Sequence, residues 1–153
     1  HPDGPLALVR ENARLKACEI ADKHPRSWVL GADTLVWLKN RIYGKPKNME
    51  EAHLMLSELS GKPHLVSTGL CLIHRELDYD TTKVETSRVT FLEFGEKERE
   101  EYFRHLDPLD KAGAYAMQTR ADLIIESFEG SKSNVIGLPK ALIKDWLEEF
   151  AII

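Results

Sequence analysis

Cysteine is scarce in this chain: Cys18 and Cys71 are the only two among 153 residues. That argues against a disulfide-stapled secreted scaffold, and no Cys pair stands at zinc spacing. Cys18 falls in a helix-like segment and Cys71 in a strand-like one. Both read as buried free thiols suited to a reducing cytoplasm, a single disulfide being the alternative left open. Long apolar runs are missing as well. Nothing approaches the ~20 residues of a membrane span, and no stretch reads as a signal peptide. There is no basic run, and the formal net charge is −4, which makes a nucleic-acid backbone a poor partner. The six histidines are scattered, without an H-E-x-x-H pattern. G-x-S-x-G and G-x-G-x-x-G are absent too, which argues against a nucleophile elbow and a dinucleotide loop. A soluble cytoplasmic domain remains, with neither membrane nor nucleic acid as partner.

What is present is an aspartate in the most apolar strand-like run of the chain. Between Val29 and Leu38, only Asp33 and Thr34 carry polar side chains. An unpaired carboxylate there costs several kcal/mol or titrates abnormally, at roughly 1.4 kcal/mol per pKa unit. Such a position is kept when the carboxylate has work to do or a partner neutralises it. Asp33 therefore reads either as a general base or metal ligand on a cleft floor, or as a bulge residue bonded to nearby backbone N–H groups. Thr34 can donate to a phosphate oxygen, or is simply a β-former. Lys16 lies at the edge of an apolar helix stripe, where it could also snorkel. Lys45 sits in Gly44-Lys45-Pro46, but Pro46 stands where a P-loop needs Ser or Thr. An exposed turn lysine is the plainer reading of it.

The elements follow from period and punctuation. Residues 6–24 form a helix with a Leu6, Val9, Ala13, Ala17, Ile20 stripe, followed by a strand over 29–38 and a short return through Ile42-Tyr43. Asn48 with Glu51 is a capping box for a helix that buries Ala52, Met55, Leu56 and Leu59 and stops at Gly61. Strands over 65–74 and 84–94 are separated by a polar loop at Asp78-Tyr79-Asp80. A charged helix over 96–106 precedes an irregular stretch, 107–120, in which Tyr115 and Gln118 could stack on and hydrogen-bond a base. Leu123-Ile124-Ile125 reads as a short strand and residues 131–138 as a loop. Pro139 opens a terminal helix with Leu142, Ile143, Trp146, Leu147 and Phe150 inward. The expectation is an α/β single domain over 1–153, a twisted mixed β-sheet flanked by helices around a central cleft. Because His1-Pro2-Asp3-Gly4-Pro5 leads straight into a helix, the chain is expected to begin partway into its domain.

Five motifs occur in order: Gly31-Ala32-Asp33-Thr34, Gly44-Lys45-Pro46, Leu59-Ser60-Gly61 with His64 to Gly69, Asp110 to Tyr115 through Gln118, and Ser133-Asn134-Val135-Ile136-Gly137-Leu138-Pro139. Together they resemble the Maf family of nucleoside triphosphate pyrophosphatases, over nearly the whole chain. The resemblance implies a fold similar to inosine triphosphate pyrophosphatases. It implies hydrolysis of a nucleoside triphosphate to the monophosphate and pyrophosphate, with Mg²⁺ or Mn²⁺. By that likeness Asp33 is the catalytic base and touches the metal, Lys16 and Lys45 contact phosphate with Thr34 beside the acid, and Gln118 marks the dTTP/UTP branch. A homodimer is frequent in the family, although no stripe here marks an interface. One departure is large: the family's Ser-x-Ser-Pro-Arg-Arg loop and a following acidic residue have no counterpart in this sequence. The expectation is a partial sequence of a normal enzyme, with an open sheet edge where a first strand would pair. The alternative is a catalytically impaired nucleotide-binding regulator linked to cell division.

Overall fold

Ten residues from Val29 to Leu38 form β1 as the apolar run requires, and the strand turns back at Lys39 (φ 55°) into the short β2, Arg41–Tyr43. The computed structural model describes residues 1–136 and 138–150, without the side chains of Val135 and Ile136. β3 (Pro63–His74) and β4 (Tyr79–Phe91) complete a long hairpin, and β5 (Ile125–Glu129) closes a five-stranded sheet ordered β2-β1-β3-β4-β5. The α/β architecture is as expected. Every pairing among the described residues is antiparallel, so the parallel component of a mixed sheet is not among them. β3 is central and buried from Val66 to His74, which accounts for its apolar run from Gly69 to Ile73.

One face of the sheet carries α1, Pro5–Ala21. The helix buries Val9, Ala13, Ala17 and Ala21, four residues apart, while Leu6 and Ile20 of the expected stripe stay exposed. The reason is the sheet beneath. A Cβ on Gly31 would lie 2.3 Å from the Ala13 carbonyl oxygen, and one on Gly69 would lie 2.5 Å from that of Val9. Two sheet glycines under an alanine row let the helix lie flush, and larger residues are turned outward. The other face holds the main core, where α2 (Met49–Leu59) buries Ala52, Met55, Leu56 and Leu59 beside Val36, Val66 and Phe91. Each Leu buried there contributes about 1.5–3 kcal/mol. The Asn48 side chain caps α2 by accepting from Glu51 N at 2.8 Å. Glu51 reaches back one residue further than a capping box predicts, accepting from Lys47 N. Helix α6 (Lys140–Glu149) covers the rest of this face through Trp146 against Leu70 and Leu72.

Four expectations shift. β4 begins at Tyr79 rather than in the middle 80s, because Asp78 adopts φ 51° and closes a tight turn. The polar start of β4 is held by Asp80, which accepts from Arg14 of α1 at 2.7 Å. Leu123 and Ile124 lie in a helical turn, α4 (Ala121–Ile124), and the strand starts one residue later. An edge strand needs only one apolar face, so Leu123 and Ile124 join the core through the turn instead. Residues expected as a loop contain a short helix, α5 (Lys132–Ile136), and α3 (Glu96–Phe103) ends sooner than its charge pattern suggests.

Candidate active site

Asp33 points at α1. Side chains alternate along a strand, and Asp33 pairs with Gly69, which lies under that helix. Lys16 Nζ donates to Asp33 Oδ1 at 2.7 Å and to the Ala32 carbonyl oxygen at 3.2 Å. Asn12 Nδ2 donates to Asp33 Oδ2 at 3.0 Å. Asn12 and Lys16 are one helical turn apart and so share a face. The carboxylate, 15% exposed, is thus held at both oxygens by side chains of α1 and not by the backbone groups of a bulge. A carboxylate has about four lone-pair sites, so two remain for a water or a cation.

Thr34 points the other way. Its hydroxyl lies 2.9 Å from that of Thr68, and Thr68 donates in turn to the Asn134 carbonyl oxygen at 3.1 Å. On this face a cavity of about 310 Å³ has a floor of Thr34, Val36 and Val66 and a wall formed by residues 110–112 and 115–118. The structure therefore brings Thr34 and Gln118 into one pocket and joins Lys16 to Asp33 on the opposite face. A larger hollow of about 880 Å³ at the β1–β2 turn contains none of these residues.

The two faces communicate around an edge. β2 pairs only with Val36 to Leu38, so the rest of β1 has no partner on that side among the described residues. The chain leaves the pairing at Tyr43, and Gly44 then ties to the pocket wall, its carbonyl accepting from Gly113 N at 3.1 Å. Lys45 follows, exposed and without an ion pair among the described residues.

The wall is fixed by residues that sequence reading missed. The Tyr102 hydroxyl on α3 donates to the Ala116 carbonyl oxygen at 3.1 Å and accepts from Ala116 N at 3.0 Å. Burial pushes this phenol up to about 12. Tyr115, expected as a stacking platform, is instead buried edge-on against Phe91 and His64, with its hydroxyl 2.7 Å from His64 Nε2. Burial lowers the His64 pKa to about 4, so the imidazole is neutral near pH 7, and burial raises that of Tyr115. The signals for these residues were slight: Asn12 lies four before Lys16, and Tyr102 and Phe103 are the only uncharged residues of α3. In the Ser133–Pro139 motif, Asn134 is buried and donates to Val66 O and Ser87 Oγ, while Gly137 lies outside the described residues.

No group of three His, Cys, Asp or Glu among the described residues is arranged to hold a metal. A single carboxylate such as Asp33 could hold a cation only together with ligands from elsewhere, the usual manner for Mg²⁺ being to keep waters and phosphate oxygens. No helix among the described residues is long and apolar enough to cross a membrane.

Residues 2–150 match the family described as Maf-like protein. The chain is 46% identical over 133 residues to a dTTP/UTP pyrophosphatase of Myxococcus xanthus, a match covering 87% of this chain and 66% of that protein. It is 40% identical to a dTTP/UTP pyrophosphatase of Desulfotalea psychrophila, across 99% of this chain and 77% of the relative. A protein of the same name from Bacillus cytotoxicus is 41% identical, across 95% and 75%. The chain thus spans about two thirds to three quarters of the length of these relatives.

Proposed function

The chain belongs to the Maf family, and we propose from that premise that it is a nucleoside triphosphate pyrophosphatase acting on dTTP and UTP. The observation that carries the reading is the pocket that joins Thr34 to Gln118 beside an open edge leading to Asp33 and Lys16. Its relatives' shared name supports the substrate class. The base enters the pocket, where the Gln118 amide hydrogen-bonds its edge. The phosphates lie across the edge of β1, their charge balanced by Lys45 and Lys16. Asp33 takes the proton of a water that attacks the α-phosphorus. The bond to the bridging oxygen of the β-phosphate breaks, and pyrophosphate leaves with that oxygen. Lys16 and Asn12 keep the carboxylate aimed, which is the positioning that phosphoryl chemistry depends on. A divalent cation, Mg²⁺ or Mn²⁺, brought in by the nucleotide and held by Asp33, supplies further charge neutralisation.

The proposal extends to setting and partners. Free thiols at Cys18 and Cys71 support a cytoplasmic location, and the net charge of −4 supports a small-molecule substrate over nucleic acid or membrane. A homodimer is the assembly proposed. Pyrophosphate release across dTTP, UTP, CTP and purine triphosphates tests the reading, with Asp33→Asn as the decisive variant. The expected outcome is turnover of dTTP and UTP that falls at least about a hundredfold in a folded Asp33→Asn protein. Full activity in that variant removes Asp33 as the base, and preference for a purine removes Gln118 as the reader.

A further inference from the structure

Tyr115 and Ala116 belong to neither a helix nor a strand, although both stand in the wall of the pocket. Buried backbone in such a stretch has no ladder to satisfy it and must find other partners. Tyr102 supplies them for Ala116, donating to its carbonyl and accepting from its N–H. His64, on the central strand, holds Tyr115 by its hydroxyl, and Phe91 packs edge-on against both rings. His64, Tyr102 and Phe91 are at most 1% exposed. Two consecutive wall residues are therefore gripped by two hydroxyls anchored in the main core. Gln118 follows two residues later, exposed at the pocket mouth.

Building on the pyrophosphatase reading above, we infer that Tyr102 and the His64–Tyr115 pair are positioning residues that set base selectivity. They fix the distance between the 115–118 wall and the Thr34–Val36 floor, and so the width of a cavity of about 310 Å³. A wall at fixed height holds the Gln118 amide at one distance from the floor, where it meets the edge of one base better than that of another. A released wall loses that discrimination. Without the Tyr102 hydroxyl, the Ala116 N–H loses its partner and its carbonyl keeps only Thr119 N, at 3.2 Å, so the segment is held on one side alone. A general loss of stability would not by itself favour one base over another.

The test is equilibrium binding of α,β-methylene-dTTP and α,β-methylene-dATP, which cannot be cleaved, to wild type, Tyr102→Phe and Tyr115→Phe. Both variants keep the aromatic ring in the core and remove only the hydroxyl. Binding of the thymidine analogue should weaken and its preference over the adenosine analogue should narrow about tenfold in each variant. His64→Gln retains a partner for Tyr115 and should recover most of the preference, whereas His64→Leu should not. An unchanged preference in both Phe variants, with only a lower melting temperature, overturns the inference. So does an equal weakening for the two analogues. Because binding is read without turnover, these outcomes stand apart from the fate of Asp33→Asn. A wild-type protein that binds neither analogue overturns the nucleotide reading, and the inference with it.

Discussion

Gly31→Ala is the sharpest perturbation of the seat on which Asp33 and its helix rest. The added methyl would meet the Ala13 carbonyl oxygen at 2.3 Å, the Ala17 Cβ at 2.8 Å and the Ala17 nitrogen at 2.8 Å. Two of these atoms are helix backbone, so no side-chain rotation relieves the clash. In a close-packed interior the relief is a shift of α1 away from β1. Overpacking of this kind costs typically 1–3 kcal/mol, and a rigid obstacle places it near the top, at about 3 kcal/mol. For a chain of this size, the melting temperature should fall by roughly 6–12 °C. The site should suffer more than the fold, since α1 carries both donors to Asp33, and Lys16 stands only 2.7 Å from it. Thermal melts followed by circular dichroism, paired with pyrophosphate release at a temperature where the variant is folded, measure both effects. Gly44→Ala is the control for stability, having nothing within 4 Å of the new methyl. If Gly31→Ala melts within about a degree of wild type, the flush packing of α1 on the sheet is not what the glycine serves.

Other outcomes follow from the same geometry. His64 is held neutral with a pKa near 4 against an ordinary 6.5, so its contribution is present above pH 6.5 and is lost as the pH falls toward 4. That loss amounts to about 3 kcal/mol, and His64→Gln should flatten the stability curve across this window in chemical denaturation. An acid limb that persists unchanged in the variant assigns it to other groups. Lys16→Ala should lower kcat/KM roughly a hundredfold, since it removes a cation and also loosens Asp33. Lys45→Ala should act mainly through KM, because Lys45 has no ion-pair partner among the described residues. Equal loss of kcat in both variants would contradict a role for Lys45 in binding alone.

Much of this was legible in the sequence. The apolar run around Asp33 is β1 to the residue, and the inward residues of α2 follow from a cap at Asn48 and a stop at Gly61. Periodicity failed where packing overrode it. In α1 the large residues Leu6 and Ile20 lie outward, because the row seated on Gly31 and Gly69 is Val9, Ala13 and Ala17, a pairing that no local window reveals. Leu123 and Ile124 misled for a similar reason: their apolarity serves the core through a helical turn, while the ladder uses the residues after them. For the site, residue types were legible and their partners were not. Asn12, His64 and Tyr102 lie 21, 51 and 14 positions from the groups they hold, so only the folded chain joins them.

β1 sends neighbouring residues to opposite sides, Asp33 toward α1 and Thr34 toward the pocket. A single strand is therefore a partition, with Asp33 and its donors on one side and the pocket of Thr34 and Gln118 on the other. Substitutions across such a divide share no packing partner, and their free-energy costs should add. On the proposed function, preference for one base would be rewritten along residues 110–118 while Asp33 keeps its donors, and the acid would be disabled without blurring the preference. Evolution would have two separate dials where a single cavity offers only one.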